Sequence, residues 1–168
     1  MPTRYLIEWM NAFPDKLFYN AYGPTEATGV STYYHIANIP NNPLQRIPIG
    51  RPCENTEIYV LKEDGSMADI GEIGELCIRG SGLSRGYWND ETKTKEAFVQ
   101  NPFSSIPGDR IYRTGDLVLL NREGNYELVG RIDNQVKNMG YRIDLAEIEN
   151  GLISTGKIKD AAVVLRWS

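Results

Sequence analysis

The stretch Tyr-Arg-Thr-Gly-Asp-Leu at residues 112–117 separates two kinds of sequence pattern. Short strand-like segments surround it up to residue 130, whereas the sequence after residue 133 begins a smaller α+β unit. Thr114-Gly115-Asp116 is expected to close a short apolar strand, because glycine allows the backbone to turn sharply. The Asp116 carboxylate would then stand just past a strand end and could accept two hydroxyl hydrogen bonds, as from a ribose. A Gly-Asp pair is more often a plain turn, so this role depends on the rest of the chain.

The composition is that of an ordinary globular protein and disfavours several functional classes. Of the 168 residues, 41% are apolar and 24% are charged, with a formal net charge of −4. The basic residues are scattered, which disfavours nucleic-acid binding. One histidine and two distant cysteines leave almost no material for a structural zinc site or a histidine-dependent triad. A reduced, cytoplasmic setting is expected, with no membrane span, since no apolar run approaches the roughly 20 residues that a span needs.

Short strands separated by turn residues dominate the middle of the chain, which is typical of a small barrel or a curled sheet. The predicted strands are residues 16–22, 31–34, 57–61, 74–79, 111–113, 117–121, 126–130, 135–137, 141–144 and 160–165. The predicted helices are residues 4–13, a segment capped by Asn89 or Asp90 that runs to Phe98, and residues 145–153. The fold class is therefore predicted to be mixed α+β, with a barrel-like β region of short strands followed by a small α+β unit.

Residues 20–26, Asn-Ala-Tyr-Gly-Pro-Thr-Glu, place several ligand-binding side chains in one short segment. Tyr22 offers a flat face to a purine, and Asn20 could bond to a base edge. Gly23 would let the backbone approach a ligand closely. The Thr25 hydroxyl could bond to a phosphate oxygen, and Glu26 could hold Mg²⁺ directly or through water. The plainer alternative is a strand-to-loop corner with a buried tyrosine and a surface glutamate.

Arg131 follows the last strand of the barrel-like region. A guanidinium suits ribose or phosphate oxygens. The alternative is a surface ion pair, which is common and contributes little to stability.

Four stretches resemble, in one order, the motifs of the adenylate-forming (AMP-binding) enzyme superfamily. Residues 20–26 resemble its Tyr-Gly-Pro-Thr-Glu motif, and residues 74–87 its Gly-Glu-Leu…Arg-Gly-Tyr motif. Residues 112–117 are similar to its Tyr-Arg-Thr-Gly-Asp-Leu motif, and residues 130–149 to its hinge and the first motif of its mobile domain. The resemblance implies that residues 1–132 are the C-terminal part of the large AMP-binding domain. Residues 133–168 would be the beginning of the mobile C-terminal domain, the lid.

Within this superfamily the sequence resembles the amino-acid-activating branch. That branch contains nonribosomal peptide synthetase (NRPS) adenylation domains and D-alanine–carrier-protein ligases. Acyl-CoA synthetases usually have a Gly-Gly-Xaa-Asn type of sequence where this chain has Met-Gly-Tyr-Arg at residues 139–142. The resemblance implies that an amino acid reacts with ATP, in the presence of Mg²⁺, to give aminoacyl-AMP. The phosphopantetheine thiol of a carrier protein then takes the aminoacyl group.

The same resemblance implies roles for individual residues. Nucleotide binding would fall to Asn20, Tyr22, Gly23, Thr25, Asp116 and Arg131, with Thr25 at the α-phosphate and Asp116 at the ribose hydroxyls. Thr25 and Glu26 would be catalytic, with Glu26 holding Mg²⁺. The substrate pocket would include Ala21, Gly29 and Val30. Asp133 would be the hinge, and Gly140 would lie near the pantetheine path.

The sequence departs from the family pattern in two places. Nothing in residues 1–19 resembles the phosphate-gripping loop of the family, and its C-terminal catalytic lysine is not matched. We therefore expect the chain to be inactive alone, as a portion of a longer enzyme, and an open sheet edge would favour self-association. The alternatives are a portion of an acyl- or aryl-CoA ligase, and a non-catalytic nucleotide-binding or interaction module.

Overall fold

The computed structural model describes residues 3–133, 135–138 and 141–164. Contacts divide the chain into two units, with the boundary between Gly130 and Arg131. The elements in chain order are α1 (Thr3–Ala12), β1 (Tyr19–Tyr22), a 3-10 turn (Thr25–Ala27), β2 (Thr32–His35), β3 (Arg51–Pro52), β4 (Thr56–Leu61), β5 (Ile73–Gly80), α2 (Glu91–Ala97), β6 (Phe98–Gln100), β7 (Arg110–Leu120), β8 (Tyr126–Arg131), β9 (Gln135–Asn138), β10 (Tyr141–Asp144) and α3 (Leu145–Ser154). The predicted mixed α+β class is confirmed. The assignment of residues 1–132 and 133–168 to two domains stays a prediction.

Two antiparallel sheets make up most of the first unit. The smaller sheet has the order β1-β2-β3, and the larger has the order β4-β5-β7-β6 with β8 also paired to β7. The larger sheet is curled. No helix in the described part of the chain is long and apolar enough to cross a membrane.

The core lies on β5, which is the most buried strand. Residues 74–78 of β5 are all buried, as suits a strand that has neighbours on both edges and side chains covered on both faces. The main core cluster contains Tyr22, Ala27, Ile49, Val60, Leu76, Ile78 and Val118. A second cluster forms under α1, where Leu6 and Met10 pack on Ile36. The spacing of these two residues on α1 confirms the predicted amphipathic helix.

The strand β7 corrects the prediction that residues 111–113 and 117–121 are separate strands closed by Thr114-Gly115-Asp116. They form one strand, and these three residues form a bulge within it. Glu75 pairs with Leu117 and Cys77 with Arg113, so three residues of β7 stand opposite one residue of β5. Gly115 has φ +72°, a conformation that glycine adopts without strain. The glycine predicted as a turn therefore serves a bulge.

The second unit contains the β9–β10 hairpin, in which Gln135 pairs with Asp144, followed by α3. The predicted strand at residues 160–165 is wrong over the described part, residues 160–164, which have no strand structure. Val164 is 81% exposed, and the Val163 amide donates to Glu149 Oε1 (2.8 Å). The Val163 amide is thus bonded to a side chain of α3. Leu165 lies outside the described residues.

The two cysteines differ sharply in environment, which gives a simple test of the fold. Cys77 lies on β5 and is fully buried, and burial raises the pKa of its thiol to about 12. Cys53 is half-buried. In the native chain we expect iodoacetamide to alkylate Cys53 and to leave Cys77 unmodified until denaturant is added, because the thiolate is the reactive form. Peptide mass spectrometry measures this, and equal labelling of both cysteines in the native chain would contradict the burial of β5.

Candidate functional site

The structure brings two predicted site residues into direct contact. Tyr22 ends β1, and Asp116 lies in the bulge of β7, 94 residues away. The Tyr22 hydroxyl donates to Asp116 Oδ2 at 2.5 Å. Tyr22 is 7% exposed and Asp116 is 5% exposed. The contact therefore joins the smaller sheet to the larger one through a buried, charge-assisted hydrogen bond.

The backbone of Asp116 is fixed by its neighbour in the bulge. The Asp116 amide donates to Thr114 Oγ1 (3.0 Å), and the same hydroxyl donates to the main-chain oxygen of Leu76 on β5 (2.7 Å). Thr114 is buried, so these bonds are protected from water. The Asp116 side chain is thus placed by the bulge rather than by a loop after a strand.

Tyr22 and Asn20 are each engaged with the protein itself. The Tyr22 ring belongs to the main core cluster, so most of its surface is already covered. Asn20 Nδ2 donates to the main-chain oxygens of Ile47 (3.3 Å) and Pro48 (2.8 Å), and so holds the loop before β3. The burial of Tyr22 agrees with the plainer alternative, in which residues 20–26 form a strand-to-loop corner with a buried tyrosine. The adenine contacts of both residues stay predictions.

Glu26 lies in the 3-10 turn that follows β1, and it is buried. The Tyr87 hydroxyl donates to Glu26 Oε1 (2.7 Å) and lies 3.5 Å from the Tyr112 hydroxyl. Burial raises the pKa of Tyr87, and the hydrogen bonds with Tyr112 and Glu26 act in the same direction. Tyr87 therefore remains a protonated donor at neutral pH. Thr25, at the start of the same turn, is exposed.

The surroundings of Glu26 fit one mode of magnesium binding. The described residues contain no group of three or more histidine, cysteine, aspartate or glutamate side chains that could hold a metal. Mg²⁺ at nucleotide sites is commonly held by one or two carboxylates together with the phosphates. A single carboxylate beside an exposed threonine hydroxyl is compatible with that mode, in which the nucleotide supplies the other ligands.

The predicted substrate-pocket residues lie near the ends of the β1–β2 hairpin. Ala21 pairs with Tyr33 across the two strands, and Gly29 and Val30 precede β2. All three are exposed in the structure, and the pocket stays a prediction. The fold itself requires glycine at position 23, because a Cβ added there would lie 1.9 Å from the main-chain oxygen of Gly29.

Arg131 and Asp133 pair with each other in the second unit. Arg131 Nε donates to Asp133 Oδ1 (2.6 Å) and Nη2 donates to Oδ2 (2.7 Å), a bidentate pair. The alternative weighed for Arg131 was a surface ion pair, and the observed pair is partly buried, with the Arg131 side chain 14% exposed and the Asp133 side chain 40% exposed. The ribose role of Arg131 and the hinge role of Asp133 stay predictions. Gly140, predicted near the pantetheine path, lies outside the described residues.

Sequence reasoning missed three residues that support the site: Tyr87, Tyr112 and Glu75. Each lies within a motif stretch, yet none had an assigned role. Glu75 contacts Arg113 and Gly115 in the bulge, and Tyr87 contacts Glu26, 61 residues away. The signal available in the sequence was a hydroxyl or a carboxylate side chain at a motif position. Its partner could not be read from the sequence, because it lies on another strand or loop.

A groove of about 650 Å³ opens elsewhere on the first unit. Its lining includes Arg79, which is paired with Glu57 and with Asp109 (2.7 Å to Oδ1). None of the predicted site residues that the structure describes lines this groove. We place the candidate site at the Tyr22–Asp116 and Glu26–Tyr87 contacts, because the nucleotide chemistry inferred from the sequence needs those groups and not the groove.

Comparison with known proteins gives matches along nearly the whole chain. The family model for AMP-binding enzyme matches residues 1–88. Tyrocidine synthase 1 from Brevibacillus parabrevis is 48% identical over 160 residues, which cover 94% of this chain and 14% of that protein. Bacitracin synthase 1 from Bacillus licheniformis is 46% identical over 159 residues, which cover 94% of this chain and 3% of that protein. The chain thus spans a small share of the length of these relatives.

The solved structures give the same picture. An NRPS protein containing adenylation and PCP domains aligns with a TM-score of 0.84 at 32% identity, covering 99% of this chain and 33% of that chain. The β-rich first unit and the hairpin–helix second unit are thus found in one order in a known protein.

Proposed function

The chain belongs to the AMP-binding enzyme family, and from this we propose that it is a portion of an ATP-dependent ligase that activates an amino acid as aminoacyl-AMP. The aminoacyl group would then pass to the phosphopantetheine thiol of a carrier protein. The observation that carries the proposal is the match of nearly the whole chain to bacitracin synthase 1, to tyrocidine synthase 1 and to an NRPS protein containing adenylation and PCP domains. We further propose that the protein acts in the cytoplasm, where ATP is available.

In the first half-reaction an amino-acid carboxylate oxygen attacks the α-phosphorus of ATP, and pyrophosphate leaves. Asp116 accepts hydrogen bonds from the ribose hydroxyls, and the Tyr22 hydroxyl holds its Oδ2 in place. Asn20 would contact adenine, and Tyr22, which is 7% exposed, would contribute the exposed edge of its ring to the same contact. Gly23 would lie beside the nucleotide, and the Thr25 hydroxyl would donate to the α-phosphate. The ribose role of Arg131 is proposed from the family resemblance of residues 130–149 alone. These groups act mainly by positioning the nucleotide, which is the major part of such catalysis.

Glu26 would hold Mg²⁺, which neutralises charge on the phosphates when it is bound. Tyr87 donates to Oε1 of this carboxylate and so fixes its orientation. The buried position of Glu26 excludes water from one side of the carboxylate. The support for this assignment is that a buried glutamate directly follows an exposed threonine in one 3-10 turn.

In the second half-reaction the carrier thiol attacks the carbonyl carbon of aminoacyl-AMP. A carbon–sulfur bond forms, the bond from that carbon to the phosphate oxygen breaks, AMP leaves with the electron pair, and the thiol proton is released to water. Asp133 would be the hinge for the motion between the two steps, and Gly140 would lie near the pantetheine path. Ala21, Gly29 and Val30 would line part of the amino-acid pocket, where their small or exposed side chains leave room for substrate.

The first test is calorimetric titration of the chain with Mg·ATP and with AMP. We expect Asp116→Ala to weaken AMP binding at least about tenfold, because hydrogen bonds to a charged group contribute about 1.5–3 kcal/mol each. Asp69→Ala is the control, since Asp69 is an exposed aspartate that is not among the proposed site residues. Circular dichroism checks that each variant is folded. Absence of nucleotide binding by the folded, unsubstituted chain would contradict a nucleotide site formed by these residues.

A further inference from the structure

A buried glutamate lies directly against the bulge that carries Asp116. Glu75 is on β5 and is 5% exposed. Its Oε1 accepts a hydrogen bond from the Gly115 amide (3.0 Å). Its Oε2 accepts two hydrogen bonds from Arg113, from Nε (2.8 Å) and from Nη2 (2.5 Å). One carboxylate thus bonds residues on either side of Thr114.

These contacts meet a specific need of the bulge. Where three residues of β7 stand opposite one residue of β5, the regular ladder of hydrogen bonds is interrupted. The Gly115 amide would have no ladder partner there, and Glu75 supplies the acceptor. Arg113 neutralises the buried charge, and its hydrogen bonds with Glu75 raise the pKa of Arg113. The carboxylate is therefore stabilised by the same segment that it holds.

We propose that Glu75 is a positioning residue for Asp116, which acts by holding the bulge in the shape that directs the Asp116 carboxylate toward Tyr22. The contacts run from Glu75 to the Gly115 amide, and the next residue is Asp116. Thr114 also holds the bulge, because its hydroxyl bonds to the main-chain oxygen of Leu76 and to the Asp116 amide. Glu75 touches no reacting atom. The inference rests on the proposed ribose role of Asp116, and its test separates the two.

The first test needs no nucleotide. We expect Glu75→Ala to speed hydrogen exchange of the Gly115 amide at least about tenfold, measured by nuclear magnetic resonance, because that amide loses its acceptor. Glu57→Ala is the matched control: Glu57 is on the neighbouring β4 and also pairs with an arginine, Arg79, but it does not contact the bulge. Glu75→Gln keeps a side-chain oxygen for the amide and should restore most of the protection. Unchanged exchange at Gly115 in Glu75→Ala would overturn the inference.

The second test measures discrimination for the ribose hydroxyls. The ratio of AMP affinity to 2′,3′-dideoxy-AMP affinity should be high in the unsubstituted chain and in Glu57→Ala, and should fall about tenfold in Glu75→Ala and in Asp116→Ala. A general loss of stability would weaken both nucleotides alike and leave the ratio unchanged. A ratio retained in Glu75→Ala but lost in Asp116→Ala would overturn the positioning role alone. Equal binding of both nucleotides by the unsubstituted chain would overturn the ribose role of Asp116, and this inference with it.

Discussion

Replacing Gly23 by alanine is expected to lower the free energy of unfolding by about 3 kcal/mol or more, as for the overpacking of a rigid site. The added Cβ would lie 1.9 Å from the main-chain oxygen of Gly29 and 2.7 Å from the amide nitrogen of Ser31. These are backbone atoms and cannot rotate away as a side chain can. The Ser31 amide also donates to the Tyr22 oxygen (2.8 Å), so opening the loop would break that hydrogen bond. Urea denaturation followed by circular dichroism measures the change.

A matched variant separates this clash from the general effect of adding a methyl group. Gly65 lies in the turn after β4 with φ +80°, and a Cβ there meets nothing within 4 Å. Gly65→Ala should therefore be destabilised only by backbone strain, by about 1 kcal/mol. If Gly23→Ala were no more destabilised than Gly65→Ala, the result would contradict the close approach of the backbone at residues 23 and 29. Both variants add one Cβ atom. In Gly23→Ala it meets backbone atoms, whereas in Gly65→Ala it meets nothing within 4 Å.

The example of Gly23 shows how far the sequence could be interpreted. The motif predicted that glycine is needed for close approach of the backbone to a ligand. The structure shows a close approach, but to Gly29 of the same loop. The need for glycine is a local property that sequence can reveal, because no other residue lacks a Cβ. The identity of the approaching atom depends on how the β1–β2 hairpin closes, which a local pattern does not contain.

Most elements were predictable because their signals are local. α2 begins after Asp90, whose side chain accepts from the Lys93 amide (2.9 Å), as its predicted capping role requires. β4 was predicted at residues 57–61 and spans Thr56–Leu61, a segment rich in β-branched and aromatic residues. The helix α3 was predicted at residues 145–153 and spans Leu145–Ser154. The cap was sufficient for α2, the residue composition for β4 and the apolar spacing for α3.

The errors arose where structure depends on distant partners. A glycine inside an apolar run indicates a turn or a bulge equally well, and only the pairing of β7 with β5 decides between them. Residues 160–164 have the composition of a buried strand, but no strand of the described chain pairs with them. The Val163 amide donates to the side chain of Glu149 on α3. Strand formation needs a partner, and composition cannot supply one.

In the candidate site, too, the local features were predictable and the contacts between distant segments were not. The motifs predicted Tyr22 and Asp116 as members of one site, and the structure brings them into contact. Their roles toward a nucleotide stay predictions. The supporting contacts of Glu75 and Tyr87 could not be predicted, because each joins segments at least 38 residues apart. The sequence thus identified chemical groups, while the structure identified what holds them.

The core beneath the bulge is expected to be the other sensitive point of the fold. Leu76 is on β5 opposite the bulge, is 0% exposed, and packs in the main core cluster with Ile78 and Val118. Leu76→Ala should lower the free energy of unfolding by about 3 kcal/mol, since the loss of a buried leucine side chain leaves a cavity. Ile73→Ala is the control on the same strand, because Ile73 is half exposed, and it should lower stability by about 1 kcal/mol or less. Urea denaturation of both variants measures the difference.

The same variant distinguishes the two ways in which β5 supports Asp116. Leu76 contributes a side chain to the core, but its contact with the bulge is through its main-chain oxygen, which accepts from Thr114 Oγ1 (2.7 Å). Leu76→Ala keeps that oxygen, so the folded variant should retain the ratio of AMP affinity to 2′,3′-dideoxy-AMP affinity while it loses stability. Glu75→Ala should lose that ratio. If Leu76→Ala lost the ratio to the same degree while still folded, core packing rather than the Glu75 carboxylate would determine the position of Asp116.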